Sequence, residues 1–260
     1  MTHKDFAISL ARKAGGIIRE NFLLGMKKEW KADNTPLTAT DLRINQMAID
    51  EINREFPGHS VLAEEGSALV ENAEYTWVCD PVDGTIPFSH GLPLSTFGLA
   101  LVKDGQPILG VVYDPFMDRM YFAEKGKGAY LNDKLIHVST ANVLKNTVCG
   151  FEGSSSSKYT AVPVMVELFK EGAKPFKIYS FMYVSMMVAC GEFVGSYYPW
   201  DKAHDGATVK IIVEEAGGKV TDIDGNEQRY DQPIKGCLAS NGILHDKFLE
   251  VIRRAQQTVK

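Results

Sequence analysis

The sequence predicts an α+β protein in which helices and β-sheets form layers. Apolar residues at helical spacing open the chain, strand-like runs follow one another between residues 60 and 123, and the two kinds of segment alternate after residue 160. Strands grouped in one run and followed by mixed elements indicate layered α and β structure with no internal repeat.

The composition is that of an ordinary soluble globular protein, because 45% of the 260 residues are hydrophobic and 23% are charged. A chain of this length can bury a large core, as one domain or as two closely joined ones. The net charge is −5, and the lysines and arginines are scattered. This distribution argues against nucleic acid as a partner, because nucleic-acid binding needs a concentrated basic surface.

Four cysteines are far apart and lie in apolar segments, which favours buried free thiols in a reducing compartment over disulfides. The first residues lack the apolar run of a signal peptide, and no stretch reaches the roughly 18 apolar residues of a membrane span. We therefore expect a cytoplasmic protein that does not bind membranes. The cysteines are Cys79, Cys149, Cys190 and Cys237.

Two amphipathic helices are predicted before residue 57. The first covers residues 5–24, with Lys, Arg and Glu opposite its apolar face. Residues 27–31 are expected to be extended, and residues 32–36 to form a polar loop. Thr40 is a plausible N-cap of the second helix, and Asp41 lies at its mouth, where the helix dipole favours an anion.

Two acidic groups then follow apolar strands. Residues 60–63 form a predicted buried strand that ends at Glu64 and Glu65, and residues 77–79 end at Asp80 and Asp83. One interpretation is a rigid turn at residues 80–85 whose carboxylates bind divalent cations, because such an ion keeps clustered carboxylates ionised. A surface Asp-Pro turn that closes a hairpin is the other.

The remaining elements complete the predicted layers. Strands are expected at residues 93–102, 107–114 and 120–123, and short Gly-containing turns join them into an antiparallel meander. The polar stretch at residues 153–158 is a soft boundary between two halves. Beyond it, the sequence predicts helices at residues 162–169, 183–189, 206–216 and 244–255, and strands near residues 176–179, 193–197, 219–222 and 236–241.

The acidic residues at turns and element ends offer oxygen ligands, which suit Mg²⁺, Mn²⁺ or Ca²⁺ and not zinc. This pattern indicates a metal site without identifying a substrate. The residues are Asp41, Glu64, Glu65, Asp80 and Asp83, together with the acidic start of the helix near residue 205.

The chain resembles the inositol monophosphatase family, whose members are magnesium-dependent, lithium-sensitive phosphomonoesterases. Agreement with the family's motifs, in order and over nearly the whole length, is far more specific than any one motif. The matching segments are Thr38-Ala39-Thr40-Asp41, Glu64-Glu65, Asp80-Pro81-Val82-Asp83-Gly84-Thr85, Phe88-Ser89-His90-Gly91-Leu92-Pro93, Gly110-Val111-Val112-Tyr113-Asp114-Pro115, Glu124-Lys125-Gly126-Lys127-Gly128-Ala129 and Ile212-Val213-Glu214-Glu215-Ala216-Gly217-Gly218.

The resemblance implies an α-β-α-β-α sandwich of the sugar phosphatase type, usually a homodimer. Residues 1–145 would form an α+β half that carries most of the metal ligands. Residues 146–260 would form an α/β half that supplies Asp205 and the substrate wall, and the two halves would make one compact unit.

The resemblance also implies metal ligands. Glu64, Asp80 and the Val82 carbonyl would hold one ion. Asp80, Asp83 and a late aspartate would hold a second, so that two Mg²⁺ bind, with Mn²⁺ as a substitute.

Further roles follow from the same resemblance. Thr85, hydrogen-bonded toward Asp41, would help Glu64 to deprotonate the attacking water. Asp41 would also serve a weaker third ion. The amides of Gly84 and Thr85 would contact the phosphate. The substrate-binding set implied by the resemblance is Asp83, Gly84, Thr85, Ser180, Phe181 and Asp205.

The late metal ligand could be either of two aspartates. The family's late motif is usually Trp-Asp followed by a small residue and Ala, and Trp200-Asp201-Lys202-Ala203 invites the choice of Asp201. Asp205, however, stands ten residues before Glu215, which is the family's usual separation. We therefore choose Asp205, with His204 in place of the usual tryptophan.

Two further departures concern the rim of the site. Ile86-Pro87 replaces the common Thr-Asn after the metal motif. Residues 179–182 (Tyr-Ser-Phe-Met) replace the small segment that lies against the substrate ring in the family, which would leave less room for a cyclitol. Phe181 and Met182 could instead simply point into the core.

We therefore predict a phosphoric monoester hydrolase that acts on an inositol monophosphate-like substrate by activating water with Mg²⁺. Histidinol phosphate, fructose 1,6-bisphosphate and 3′-phosphoadenosine 5′-phosphate are alternative substrates. A family member that mainly binds a protein or RNA partner is the alternative of another class.

Overall fold

The computed structural model describes residues 1–31, 35–154 and 157–258. The helices within these ranges are α1 (His3–Asn21), α2 (Ala39–Glu55), α3 (Thr85–Ser89), α4 (Val162–Lys170), α5 (Phe181–Ala189), α6 (Ala203–Glu215) and α7 (His245–Gln257). The strands are β1 (Glu29–Trp30), β2 (Pro36–Leu37), β3 (Ser60–Ala63), β4 (Tyr75–Asp83), β5 (Thr96–Lys103), β6 (Gln106–Asp114), β7 (Arg119–Glu124), β8 (Ala129–Leu131), β9 (Lys134–Ile136), β10 (Val148–Phe151), β11 (Lys174–Phe176), β12 (Gly195–Tyr198), β13 (Lys219–Thr221) and β14 (Cys237–Ser240).

Two large sheets form the β layers. Seven strands lie in the order β3-β4-β5-β6-β7-β8-β9, antiparallel except for the parallel pair β3 and β4. Five strands form the second sheet in the order β11-β10-β12-β14-β13, in which β10 runs parallel to both neighbours. The predicted antiparallel meander is confirmed from β5 to β7, and it extends to β4 on one side and to β8 and β9 on the other, of which β8 and β9 were not predicted.

Helices cover both sheets and fill the space between them. Helices α1 and α2 pack on one face of the seven-stranded sheet. Helices α5 and α6 lie between the sheets and bury their apolar residues against both. Helices α4 and α7 pack together on the outer side of the five-stranded sheet. The order of layers is therefore α-β-α-β-α, which confirms the predicted fold class.

Most predicted elements are present, with shifted ends. Helix α6 begins three residues before its predicted start, and its predicted inner residues Val209, Ile212 and Val213 are fully buried. Strand β10 was missed, although it pairs with both β11 and β12. Part of the predicted polar loop at residues 32–36 and part of the serine-rich stretch lie outside the described residues.

The predicted N-cap of α2 was wrong. Thr38 is the N-cap, and its backbone N–H donates to Asp41 Oδ2 over 2.9 Å. The Thr38 hydroxyl donates to the same carboxylate oxygen. Asp41 thereby satisfies groups at the helix start that would otherwise lack partners.

The prediction of a turn that begins at residue 80 was wrong, because residues 80–83 belong to strand β4. The strand continues through Pro81 to Asp83, with an irregular register against β5 between Asp80 and Asp83. The chain then enters α3 through Gly84, and no hairpin closes here. A bulge explains how proline, which has no N–H to donate, is accommodated within the strand.

The four cysteines are free thiols, as predicted, and three of them are buried, whereas Cys190 is partly exposed. In the portions of the chain that the structure describes, no helix is both long enough and apolar enough to cross a lipid bilayer.

Candidate active site and metal centre

Gly84 directs the chain from β4 into the site. Its φ angle is +88°, a left-handed conformation that glycine adopts without the steric penalty of a side chain. A Cβ atom at this position would lie 2.9 Å from the Leu94 carbonyl oxygen and 2.9 Å from Ser180 Cβ. The glycine therefore allows both the sharp turn and the close approach of the segment that contains Ser180.

Three aspartates, two from β4 and one from α6, meet beside this turn. Carboxylate oxygens of Asp80, Asp83 and Asp205 lie within 4.8 Å of one another, and all three residues are shielded from solvent. Asp205 reaches the cluster from the first turn of α6. Asp201 instead pairs with Lys158 at 2.5 Å, and it does not line the pocket that contains the cluster.

Glu64 lies beside the same pocket at the end of β3. Its backbone N–H donates to the Cys79 carbonyl over 3.2 Å, which places Glu64 next to the end of β4. Lys31 contacts its carboxylate at 2.7 Å and that of Glu65 at 2.6 Å. The two glutamates raise the pKa of Lys31 although burial acts to lower it.

The electrostatics of the cluster fit a divalent cation. Burial, followed by repulsion from Glu64, raises the pKa of Asp80 well above its usual value. Burial, followed by repulsion from Asp83, does the same to Asp205. The pKa of Asp83 rises to about 6, chiefly through burial. Buried carboxylates this close repel one another when ionised, and a hard cation with oxygen ligands removes that repulsion. These residues could hold a metal ion.

Asp83 is held by four donors, three of which come from the other half of the chain. Ser180 Oγ donates to Asp83 Oδ2 over 2.5 Å, and the backbone N–H groups of Phe181 and Met182 donate to its two oxygens over 3.0 Å each. Thr96 Oγ1 adds a bond of 3.2 Å from β5. These hydrogen bonds offset part of the rise in the Asp83 pKa and fix the direction of its carboxylate.

Asp41 and Val82 meet at the hydroxyl of Thr85. Thr85 Oγ1 lies 3.1 Å from Asp41 Oδ1 and 2.9 Å from the Val82 carbonyl oxygen, and it can donate to either. Asp41 is completely buried, which raises its pKa to about 6. The structure therefore brings Thr85 to Asp41, as the resemblance implied.

Tyr198 and His204 surround Asp205. The Tyr198 hydroxyl donates to Asp205 Oδ2, and its ring stacks on Phe181 with 4.6 Å between ring centroids. His204 lies 3.5 Å from the same carboxylate oxygen. Burial lowers the pKa of His204 to about 3, so its ring is neutral at physiological pH.

The pocket above the cluster has a volume of about 320 Å³. Gly84, Thr85 and Ile86 line it beside the metal motif, and Tyr179 and Phe181 also line it. This places all but one of the sequence-predicted substrate-binding residues at the pocket.

The exception is Ser180. It is fully buried, it does not line the pocket, and its hydroxyl is used by Asp83. Met182 is also fully buried and points into the core. The substitution of the family's small segment therefore affects the pocket through Tyr179 and Phe181.

Three charged residues that line the pocket, Glu152, Lys177 and Lys202, were not predicted from the sequence. Glu152 follows strand β10, as Glu64 follows β3, and that pattern could have drawn attention to it. Burial raises its pKa to about 8. The lysines gave no sequence signal, because neither belongs to a periodic or acidic pattern.

Comparison with known proteins agrees with this geometry. The model of the inositol monophosphatase family matches residues 2–257. A fructose-1,6-bisphosphatase/inositol-1-monophosphatase of Thermotoga maritima is 32% identical over 261 residues, covering 100% of this chain and 99% of that protein. Inositol monophosphatase 3 of Solanum lycopersicum is 33% identical over 266 residues, covering 95% of each chain.

Solved structures give the same result. A Thermotoga maritima IMPase superposes with a TM-score of 0.89 at 30% identity and covers 100% of both chains. An inositol monophosphatase from Anabaena superposes with a TM-score of 0.83 at 29% identity, covering 96% of this chain and 94% of its own. The chain belongs to the inositol monophosphatase family and is a phosphoric monoester hydrolase.

Proposed function

We propose that the chain hydrolyses a small, inositol monophosphate-like phosphomonoester with Mg²⁺ as its cofactor. The observation that carries this proposal is the buried cluster of Asp80, Asp83 and Asp205 beside Gly84 and Thr85. Oxygen-only ligands suit Mg²⁺, and Mn²⁺ is the expected substitute. When bound, the cations would activate water and neutralise the charge of the phosphate oxygens.

The chain's own oxygen ligands are proposed to hold two ions firmly and a third more weakly. Glu64, Asp80 and the Val82 carbonyl would hold one ion, and Asp80, Asp83 and Asp205 a second. Asp41 would serve a weaker third ion. The contacts of Asp83 with Ser180 and neighbouring amides support a fixed orientation for this ligand.

Thr85 has a proposed role in moving a proton. Its hydroxyl can donate a proton to Asp41, 3.1 Å away, as it accepts a proton from the attacking water. In this way Thr85 would help Glu64 to deprotonate that water. The amides of Gly84 and Thr85 would contact phosphate oxygens, and the water would displace the alcohol from phosphorus. Asp205 and Phe181 would border the alcohol part of the substrate.

The identity of that alcohol is the open part of the proposal. Relatives named for inositol monophosphate support a cyclitol, whereas the Thermotoga maritima relative carries fructose-1,6-bisphosphatase in its name. The side chains of Tyr179 and Phe181 are larger than those of the small family segment that they replace, so they leave less room in the pocket for a cyclitol. Fructose 1,6-bisphosphate, histidinol phosphate and 3′-phosphoadenosine 5′-phosphate are therefore the alternative substrates.

A phosphate-release assay tests the proposal. The four substrates are compared at equal concentration with Mg²⁺, with Mn²⁺ and with chelator, and each assay is repeated with Li⁺. We expect Mg²⁺-dependent turnover that Li⁺ inhibits, fastest for inositol monophosphate. Preference for another substrate replaces the assignment of inositol. No turnover of any of the four would instead favour a role in binding a protein or RNA partner.

We further propose that the protein is a cytoplasmic homodimer. Its free thiols suit a reducing compartment, and the family resemblance implies the dimer. Residues 1–145 and 146–260 are proposed as two halves of one compact unit, which the packing of α5 and α6 between the sheets supports. Light scattering of the purified protein tests the dimer, and a monomer at micromolar concentration contradicts it.

A further inference from the structure

Glu152 is a buried carboxyl at the pocket to which the family resemblance assigns no role. It follows β10, is only 6% exposed, and lines the same cavity as the aspartate cluster. A buried acidic side chain needs hydrogen-bond partners to offset its loss of water. Its partners therefore indicate what it does.

These partners lie in the segment that precedes α5. The Ile178 N–H donates to Glu152 Oε1 over 3.0 Å, and the Ser180 amide also acts on the carboxyl and lowers its pKa. Lys177 Nζ donates to the carbonyl of Gly153, the next residue along the chain. The end of β10 thus holds residues 177–180 at several points.

The segment needs this support because Tyr179 is strained. Its φ angle is +61°, which a bulky side chain adopts only when its surroundings impose it. Tyr179 is 48% exposed, so its own side chain does not anchor the turn in the core. The Ile178 N–H donates to Glu152, and the Ser180 amide lowers the pKa of the same carboxyl. The backbone on both sides of Tyr179 therefore interacts with Glu152, which is placed to hold the turn.

The residues directly after Tyr179 are those that hold Asp83. Ser180 Oγ, the Phe181 N–H and the Met182 N–H all donate to the Asp83 carboxylate, over 2.5, 3.0 and 3.0 Å respectively. A change in the backbone direction at Tyr179 would move all three donors together. Glu152 is therefore connected to Asp83 through one short, rigid segment.

We propose that Glu152 is a positioning residue that holds the turn at Tyr179 and thereby keeps Asp83 oriented toward its metal. This inference rests on the proposed function, in which Asp83 is a metal ligand. Partners of this kind, which hold the ligand and not the ion, commonly change metal affinity by about 10- to 100-fold.

Glutamine should replace Glu152 with little loss. The raised pKa of about 8 means that the carboxyl is mostly protonated at pH 7, and a neutral amide has nearly the same shape. The side-chain carbonyl of glutamine can accept from Ile178 as the carboxyl does. Leucine has a similar volume but accepts no hydrogen bond.

The test compares Glu152→Leu and Glu152→Gln with wild type. Binding of Mn²⁺ alone is measured by electron paramagnetic resonance, and exchange of the amides of residues 178–182 is measured by mass spectrometry without metal. We expect Glu152→Leu to bind Mn²⁺ about 10- to 100-fold more weakly and to exchange these amides faster. Its kcat should fall by a larger factor than its KM changes. Glu152→Gln should stay within about threefold of wild type on each measure.

Glu167→Leu is the matched control. Glu167 is also a buried glutamate, but it lies on α4 and pairs with Lys170 and Arg254 away from the pocket. We expect this variant to lose stability without changing Mn²⁺ affinity or the exchange of residues 178–182. Glu152→Asp, which keeps the carboxyl on a shorter side chain, replaces Glu152→Leu if the leucine variant does not fold, and it should weaken Mn²⁺ binding partially.

Unchanged Mn²⁺ binding and amide exchange in Glu152→Leu would overturn the inference. A rise in KM with unaltered Mn²⁺ binding would also overturn it, because Glu152 would then contact the substrate directly. Failure of the proposed function is distinguishable, since it would appear as absent turnover by the wild type. Mn²⁺ binding and amide exchange do not depend on turnover, so they would still test the role of Glu152.

Discussion

Thr85 Oγ1 lies 3.1 Å from Asp41 Oδ1, although 44 positions separate the two residues along the chain. Asp41 is fixed by the N-terminal turn of α2, and Thr85 begins α3 directly after Gly84. The contact therefore joins two rigid helix starts at one side of the aspartate cluster. Its chemical use is testable because a single hydroxyl forms it.

Thr85→Ala removes this hydroxyl and should lower kcat by on the order of 100-fold or more, since general acid-base groups commonly contribute that much. Thr85→Ser retains the hydroxyl and should stay within about tenfold of wild type. Steady-state phosphate release at saturating Mg²⁺ measures both. An alanine variant with wild-type kcat would remove Thr85 from the mechanism.

Asp205→Asn and Asp201→Asn should behave differently. Asp205 lies in the buried cluster, so loss of its charge should lower Mg²⁺-dependent activity by roughly 100-fold or more. Asp201 pairs with a half-exposed lysine, and breaking such a pair should change the free energy of unfolding by only about 0–1 kcal/mol with little effect on activity. Titration of activity with Mg²⁺ compares the variants. Loss of activity only in Asp201→Asn would reverse the assignment.

The metal-free protein should become less stable between pH 7 and 8.5. Burial raises the folded-state pKa of Glu152 to about 8 and that of Asp80 well above its usual value, so the folded state holds protons that the unfolded state has released. Stability therefore falls as pH rises through these values, by on the order of 1 kcal/mol for Glu152 alone. The buried His204 and His245 do not oppose this trend, because histidines are mostly neutral in both states above pH 7.

Thermal unfolding with chelator and with Mg²⁺ checks this prediction. The Tm with chelator should drop by several degrees over the window, and the gain in Tm on adding Mg²⁺ should grow with pH because the ion binds ionised carboxylates. Asp80→Asn serves as the comparison, since it should raise the metal-free Tm and shrink the gain from Mg²⁺. A gain independent of pH would contradict the account.

Tyr179→Gly should relieve backbone strain and widen the pocket. Glycine adopts the φ angle of +61° freely, so we expect the free energy of unfolding to stay equal or to rise by about 1 kcal/mol, although the contact of Lys177 over the tyrosine ring is lost. Tyr179→Ala removes the same side chain but keeps the strain, and it should be less stable than the glycine variant. Chemical denaturation measures the difference.

The pocket should respond to both substitutions alike. Without the Tyr179 side chain, the KM for inositol monophosphate should fall relative to wild type in each variant, because the pocket that Tyr179 lines becomes wider. Kinetic assays of the two variants check this. An unchanged KM in both would show that Tyr179 does not restrict the substrate.

Much of the fold follows from local pattern. The amphipathic spacing of α1 and α7 identified them because each buries one face along many residues. Helix α6 was also predicted, although it is buried on nearly all sides between the two sheets. The short strands β8 to β10 were missed because three or four residues carry no reliable period. The N-cap of α2 was misplaced by two residues, since Thr38 and Thr40 are equally suitable locally and only the contact with Asp41 separates them.

The sequence by itself determined the family and the layered fold class, and it favoured Asp205 over Asp201, because motif order and the spacing to Glu215 are properties of the chain alone. Only the tertiary structure decided which side chains act together. It turned Ser180 away from the pocket and onto Asp83, and it revealed Glu152 behind Tyr179. The reason is physical: hydrogen bonds of about 3 Å depend on the packing of distant segments, which local periodicity does not encode.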